Sequence, residues 1–259
     1  MTTSTRPLAL VTGASAGIGP ELARQLADRG HDLLLCAEDD RIATSAASLG
    51  ADAVQADLAT LEGVEQLWTA VLATGRPLAV ACLNAGVGQG GRFVETDLAD
   101  ELRLIALNVT GTTHLAKRVL QHMVGQDAGR VLVTSSVAST MPGTYQAVYN
   151  ASKSFVQSLT EALQEELKDT AVTLTALMPG PVETEFFARA DMLDTPVGAS
   201  SKDDAADVAR QGLSALFAGE KKVLAASRMT KVQGAVSGVL PDALKAKAHA
   251  AMAKPADQD

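Results

Sequence analysis

From residue 8 onward, short runs of apolar residues alternate with longer stretches in which apolar side chains return every three or four positions. The runs Leu8–Thr12, Asp32–Ala37, Ala51–Ala56, Leu78–Leu83, Arg130–Ser135, Val172–Met178 and Lys222–Ala226 read as strands. The stretches Glu21–Arg29, Leu61–Thr74, Leu98–Met123 and Tyr145–Lys168 read as helices, and in the last of them Val148, Phe155, Leu159, Leu163 and Leu167 share one face. Strands that alternate with helices in this way predict an α/β protein with a doubly wound parallel sheet covered on both faces. The two longest helices are candidates for packing against a second subunit.

No Gly/Ser/Pro-rich linker, internal repeat or low-complexity block divides the chain, so residues 1–259 are expected to form a single domain. Residues 180–200 are long and irregular, which suits a lid or binding loop. The alanine-rich tail, 228–254, reads as a helix with Leu240, Leu244, Ala248 and Ala251 on one face, packed on its own domain or on a partner subunit.

Composition narrows the function. Hydrophobic residues make up 47% and charged residues 20% of the 259, which supports an ordinary globular core and excludes a disordered chain. The net charge of −8, with no basic run beyond Lys221-Lys222, argues against nucleic acid as a partner. The two cysteines form no C-x-x-C pair, and a reducing cytoplasm is the expected compartment. If the second and fourth strands flank the first, Cys36 and Cys82 lie roughly 9–10 Å apart, beyond disulfide reach. Four scattered histidines lack zinc spacing, so no metal site is expected. No apolar run approaches the ~18 residues of a membrane span. Arg6 to Val11 followed by Ala14-Ser15-Ala16 imitates a signal peptide, but the apolar core is too short.

The first strand runs directly into Thr12-Gly13-Ala14-Ser15-Ala16-Gly17-Ile18-Gly19 and then Pro20 and a helical pattern. Glycines there permit positive φ and close backbone approach, and the following helix N-terminus attracts anions. A pyrophosphate suits such a cradle; the alternative is a turn that only connects strand to helix. A literal G-x-G-x-x-G occurs elsewhere, at Gly86, Gly88 and Gly91, but no acid stands about 20 residues beyond it. That segment reads as a flexible loop beside a site. Glu38 does stand about 20 residues past the first cluster, where a carboxylate can accept ribose hydroxyls and repel a 2′-phosphate. This favours NAD(H), with NADP(H) as the alternative cofactor. A solvated Glu38–Asp40 loop is the competing explanation.

Tyr149 and Lys153 are four apart at a helix start and so share one face. An ammonium close to a phenol lowers its pKa and fits it to exchange a proton with a hydroxyl or carbonyl oxygen. Ser135-Ser136 ends a strand, the position where doubly wound sheets place ligands, and a serine there can donate to a developing oxyanion. Serines also end strands and cap helices without any catalytic role.

Taken together, Thr12-Gly13-x-x-x-Gly17-x-Gly19, Asn84-Ala85-Gly86, Ser136, Tyr149-x-x-x-Lys153 and Pro179-Gly180-x-Val182-x-Thr184 resemble the short-chain dehydrogenase/reductase family over residues 6 to 190. The resemblance implies a Rossmann-type sheet of about seven strands and hydride transfer between a nicotinamide and a carbonyl/alcohol pair. It implies Tyr149 as proton donor and acceptor, Lys153 as the residue that lowers its pKa and holds the nicotinamide ribose, and Ser136 as the group that polarises the substrate oxygen. Asn108 matches the family's helix asparagine, which holds a water linking the lysine to solvent. Asp57 and Leu58 match the adenine contact, Asn84 with Ala85 and Gly86 the adenine-ribose side, and Val182 and Thr184 the carboxamide positions. The glycine turn, with Gly13, Ser15, Ala16, Gly17, Ile18 and Gly19, takes the phosphates. Two departures are Ala37, where NAD-using members usually carry aspartate, and Glu38, where NADP-using members often carry a base.

The expected function is therefore an NAD(P)-dependent oxidoreductase acting on a ketone or aldehyde and its alcohol. Val182, Phe186, Phe187, Met192 and Leu193 in the lid segment, with Met141 and Tyr145, suggest an apolar small-molecule substrate. A homodimer or homotetramer is the family expectation. An epimerase or dehydratase on the same fold, and a non-catalytic dinucleotide sensor, are the rivals; the first usually needs a longer C-terminal domain, and the second does not need Asn108, Ser136, Tyr149 and Lys153 together.

Overall fold

All five residues of β1 (Leu8–Thr12) are buried, yet they divide between two cores. Leu8 and Leu10 face a cluster built with Leu67 and Val71 on one helix and Leu115, Val119 and Met123 on another, whereas Ala9 and Val11 face Leu22, Leu26, Val208, Leu213 and Leu216. A period of two thus operates inside a continuous apolar run, because the strand is covered on both faces. Each fully buried leucine contributes about 1.5–3 kcal/mol relative to exposure.

The computed structural model describes residues 6–225 and 242–255. Among them β1, β2 (Asp32–Ala37), β3 (Asp52–Gln55), β4 (Leu78–Leu83), β5 (Gly129–Thr134), β6 (Val172–Pro179) and β7 (Lys222–Ala225) form one seven-stranded sheet in the order β3-β2-β1-β4-β5-β6-β7. Every pairing is parallel. The helices α1 (Ile18–Asp28) and α9 (Ala205–Ala218) cover one face, and α3 (Leu61–Ala73) and α5 (Thr112–Gly125) the other. The winding reverses between β1 and β4, so the loops after these strands diverge at their carboxyl ends and open a crevice there. Cys36 is paired in register with Thr12 and Cys82 with Val11, on opposite sides of β1. Both thiols are free and buried, and burial raises each pKa to about 12.

Several elements differ from expectation. Helix α1 starts three residues early, because Gly17 caps it and Gly19 and Pro20 lie within its first turn. The predicted Leu98–Met123 helix is α4 (Leu98–Ile105), a π-helical turn at Ala106–Gly111, and α5. Helices α2 (Arg41–Leu49) and α9 were not anticipated, although Gly50 and Gly219 end them in the left-handed conformation and Asp204 caps α9 through the Asp207 N–H. In α6 (Ala147–Glu166) the buried face carries Tyr149, Ser152, Lys153, Val156 and Thr160; of the expected apolar face Val148, Leu163 and Leu167 pack half-buried against the cores, Leu159 is half-buried and Phe155 is exposed, so that face borders the core without forming its centre. Residues 180–200 contain two short helical turns, α7 (Phe186–Arg189) and α8 (Pro196–Ala199).

The tail helix is α10 (Asp242–Ala253). Residues 228–241 of the predicted tail, including Leu240, lie outside the described residues. Leu244 is exposed, while His249 and Ala253 are buried, so α10 is rotated from the orientation its apolar pattern predicted. Among the described residues no helix is long and apolar enough to cross a membrane, and no group of three metal-ligating side chains occurs.

Candidate active site

The glycine turn follows from the geometry of β1. Gly13 and Gly17 have φ of 64° and 68°, the left-handed region that glycine enters without strain. Gly17 caps α1 with no side-chain bond, so the first N–H groups of the helix remain open to an anion. Thr12 Oγ1 binds this turn to the end of β4: it donates to the Cys82 carbonyl (3.3 Å) and accepts from the N–H groups of Asn84 (2.9 Å) and Ala85 (3.1 Å). Thr134 Oγ1 donates to Asn84 Oδ1 (3.0 Å) and adds β5 to the same frame.

A cavity of about 650 Å³ opens over these strand ends. Gly13, Ser15, Ala16, Gly17, Ile18, Glu38, Asp57, Leu58, Asn84, Ala85, Gly86, Ser136, Tyr149, Lys153, Pro179, Gly180, Val182 and Thr184 all line it. Two predicted residues stand behind the wall. Gly19 packs in the first turn of α1, where a Cβ would meet the Gly13 carbonyl oxygen at 2.0 Å. Asn108, in the π-helical turn, is buried: its Oδ1 accepts from the Val87 N–H (3.0 Å), and its Nδ2 donates to the Val87 carbonyl (2.9 Å) and to Ser152 Oγ (3.1 Å). The side chain holds the 84–88 loop in place.

Ser136 stands two residues past the end of β5, and its Oγ accepts from the Ala138 N–H (3.1 Å), which caps a short 3₁₀ segment. It also hydrogen-bonds Tyr149, which lowers the phenol pKa, but burial is the larger effect and the value rises to about 12. Lys153 lies one turn further along α6, with Nζ donating to the Thr134 carbonyl (3.0 Å). Burial lowers its pKa to about 8. A Cβ on Gly86 would stand 3.2 Å from both Lys153 Nζ and Asn108 Oδ1, so only glycine leaves the lysine its present place.

The acids that follow β2 are distributed differently from expectation. Arg103 joins the Glu38 and Asp57 carboxylates, whereas Asp39, read from the sequence only as a flanking residue, accepts from Ser15 Oγ of the glycine turn (2.9 Å). Arg41 binds both Asp39 and Glu185, and Arg189 binds Glu185 (2.7 Å), so the lid segment is tied to the turn after β2. Hydrogen bonds from Arg41 hold the Asp39 carboxyl below its ordinary range against the effect of burial, with Ser15 assisting. Gly88, of the G-x-G-x-x-G segment, and Gly90, between its glycines, admit side chains of residues 180–200: a Cβ would meet the Phe186 ring at 2.3 Å and Met192 Cγ at 2.4 Å. Sequence reasoning also missed Lys245, His249 and Met252, which bring α10 to the cavity wall. No motif marks them.

Comparison with known proteins decides the family. The sequence model of the short chain dehydrogenases matches residues 7–192. The chain belongs to the short-chain dehydrogenase/reductase family. It is 35% identical over 193 residues to a 3-oxoacyl-acyl-carrier-protein reductase of Synechocystis, covering 72% of this chain and 78% of that one. Among solved structures, a short-chain dehydrogenase of Sphingobium yanoikuyae in complex with NADPH superposes with a TM-score of 0.80 at 30% identity, over 90% of this chain and 92% of that one. A family member from Burkholderia phymatum in complex with NAD gives 0.81 at 26% identity, over 91% and 94%. As a short-chain dehydrogenase/reductase, the protein carries the family's Rossmann-type sheet in its entirety.

Proposed function

We propose that this family member is an NAD(P)-dependent oxidoreductase that interconverts a ketone or aldehyde and its alcohol in the cytoplasm, with residues 1–259 acting as one unit. The observation that carries the proposal is that Ser136, Tyr149 and Lys153 line the same cavity as a glycine turn whose helix has no side-chain cap. Gly13 to Ile18 would hold a pyrophosphate, and Lys153 a nicotinamide ribose. When bound, the dinucleotide supplies or accepts the hydride. Ser136 donates to the substrate oxygen. Tyr149, whose pKa of about 12 keeps it protonated at neutral pH, gives its proton to that oxygen in reduction and takes it back in oxidation. Lys153 is charged below about 8 and offsets the phenolate that results. Asn108 keeps the loop beside Lys153 in position.

NAD(H) is the preferred cofactor in this reading. Its support is now Asp39 as much as Glu38: a 2′-phosphate near Ser15 would face the Asp39 and Glu185 carboxylates. Exposed apolar side chains on α4 (Leu98, Leu102, Ile105) and on α6 (Phe155) support a homodimer or homotetramer.

Titration of the protein with NADH and NADPH in parallel tests cofactor choice, with tighter NADH binding expected. Tyr149→Phe should bind dinucleotide as the unmodified protein does and lose turnover at least about a hundredfold. Undiminished carbonyl reduction by that variant would overturn the assigned role.

A further inference from the structure

The cavity has two chemically different halves. Its carboxylates belong to the half beside the glycine turn, where Arg41 joins Asp39 to Glu185 and Arg103 joins Glu38 to Asp57. Beyond Ser136 and Tyr149 the lining becomes apolar, with Val137, Met141, Phe186, Phe187 and Met252. Gln146 lies in this half, with its amide turned to the Met192 sulfur (3.0 Å). The other polar groups here are Lys245 and His249, one turn apart on α10.

Two bonds fix α10 to the segment that leads into Tyr149. Thr144 Oγ1 donates to the Ala246 carbonyl (3.0 Å), and His249 Nδ1 donates to the Thr144 carbonyl (2.9 Å). A ring that donates through Nδ1 to a carbonyl has its orientation set. His249 is buried and its imidazole is a positioning group for the helix. What it positions is Lys245. The Lys245 side chain is only 13% exposed, while its carboxylate partner Asp242, at 3.2 Å, is 79% exposed. A pair with one member in water contributes little and is readily exchanged. The covered part of Lys245 is its methylene stem, packed along the cavity wall, and the ammonium at its end can exchange the water-exposed Asp242 for an anion that enters the cavity.

We propose that Lys245 binds a carboxylate carried by the substrate, separated by an apolar chain from the carbonyl that faces Ser136 and Tyr149. The inference rests on the carbonyl-reducing reading of the same cavity and names its substrate class: oxo acids in preference to neutral ketones. The apolar wall takes the chain, Lys245 takes the charge, and the spacing between them selects its length.

The test uses methyl-ketone acids with two, four and six methylenes between carbonyl and carboxylate, each beside its methyl ester. Turnover is read with NADH and with NADPH, and binding to the protein with oxidised dinucleotide is read by calorimetry. At one chain length the acid should exceed its ester about tenfold in kcat/KM, mostly through KM. Lys245→Met should bring that ratio to about one and Lys245→Glu should invert it. His249→Leu should lower the ratio, and His249→Gln, which keeps a donor for the Thr144 carbonyl, should restore it. Esters that match their acids at every length, or a preference that survives Lys245→Met, would overturn the inference while leaving carbonyl reduction intact. Acid-selective binding without turnover would do the reverse. If no member binds or reacts, both readings fail.

Discussion

Replacing Lys153 with methionine should make the protein more stable while removing its activity. Lys153 is 6% exposed, and burial lowers its pKa from 10.5 to about 8. That displacement corresponds to about 3 kcal/mol of unfavourable charge burial at neutral pH. Against it stands the hydrogen bond from Nζ to the Thr134 carbonyl, whose loss costs about 1–2 kcal/mol. Methionine fills a similar volume, so the variant should gain about 1–2 kcal/mol at pH 7, or roughly 4 °C in Tm. The sign with pH follows from the protons bound. Between about pH 8 and 10.5 the folded protein has released the Lys153 proton and the unfolded chain has kept it, so the unmodified protein gains stability through that window. The advantage of Lys153→Met should therefore be greatest below pH 8 and shrink as pH rises toward 10.5. Urea unfolding of both proteins without dinucleotide, at pH 7 and pH 9.5, measures it. A stability difference that does not change between these pH values would refute burial of the ammonium as the cause.

Three further predictions use other parts of the molecule. Asn108→Ala removes three hydrogen bonds to Val87 and Ser152 and should cost about 2–3 kcal/mol in urea unfolding, with weakened dinucleotide binding because the 84–88 loop loses its clamp. Asp39→Ala removes the carboxylate between Ser15 and Arg41 and should move the ratio of NADPH to NADH affinity upward about tenfold, read by fluorescence titration; an unchanged ratio would assign the discrimination elsewhere. Both cysteine thiols, with pKa raised to about 12 by burial, should fail to react with Ellman's reagent at pH 8 in the folded protein and react fully in urea.

The legible part of the molecule is the part whose chemistry is local. A glycine turn needs its glycines wherever it folds, and Tyr149 with Lys153 needs only one helical turn, so both appear as spacings in the sequence. The parallel order of strands follows from apolar runs separated by helices, and the register of Cys36 and Cys82 around β1 follows from that order. What was hidden depends on contacts across the chain. His249 reaches the site through Thr144, 105 residues away, and no periodicity in an alanine-rich helix says which side faces a cavity. The same holds for α6, where polar Lys153 and Ser152 are buried because they bond Thr134 of β5 and Asn108, while Phe155 stays exposed. Asp39 and Glu38 differ only in which arginine each meets, a matter settled by Arg41 and Arg103 on separate helices. The π-helical turn around Asn108 leaves no mark in an apolar pattern that continues through it.

Phe186 belongs to two structures at once. Its ring rests on the backbone of Gly88, where no side chain intervenes, and its centroid lies 5.3 Å from that of Tyr149. The segment that covers the cavity is therefore also part of the dry wall that raises the phenol pKa. Access to the cavity and acidity of the Tyr149 phenol are coupled through one aromatic ring. Loss of the Phe186 contact would admit water to Tyr149 and relax its pKa toward that of a free phenol. The same ring therefore bounds the opening of the cavity and the environment of the phenol.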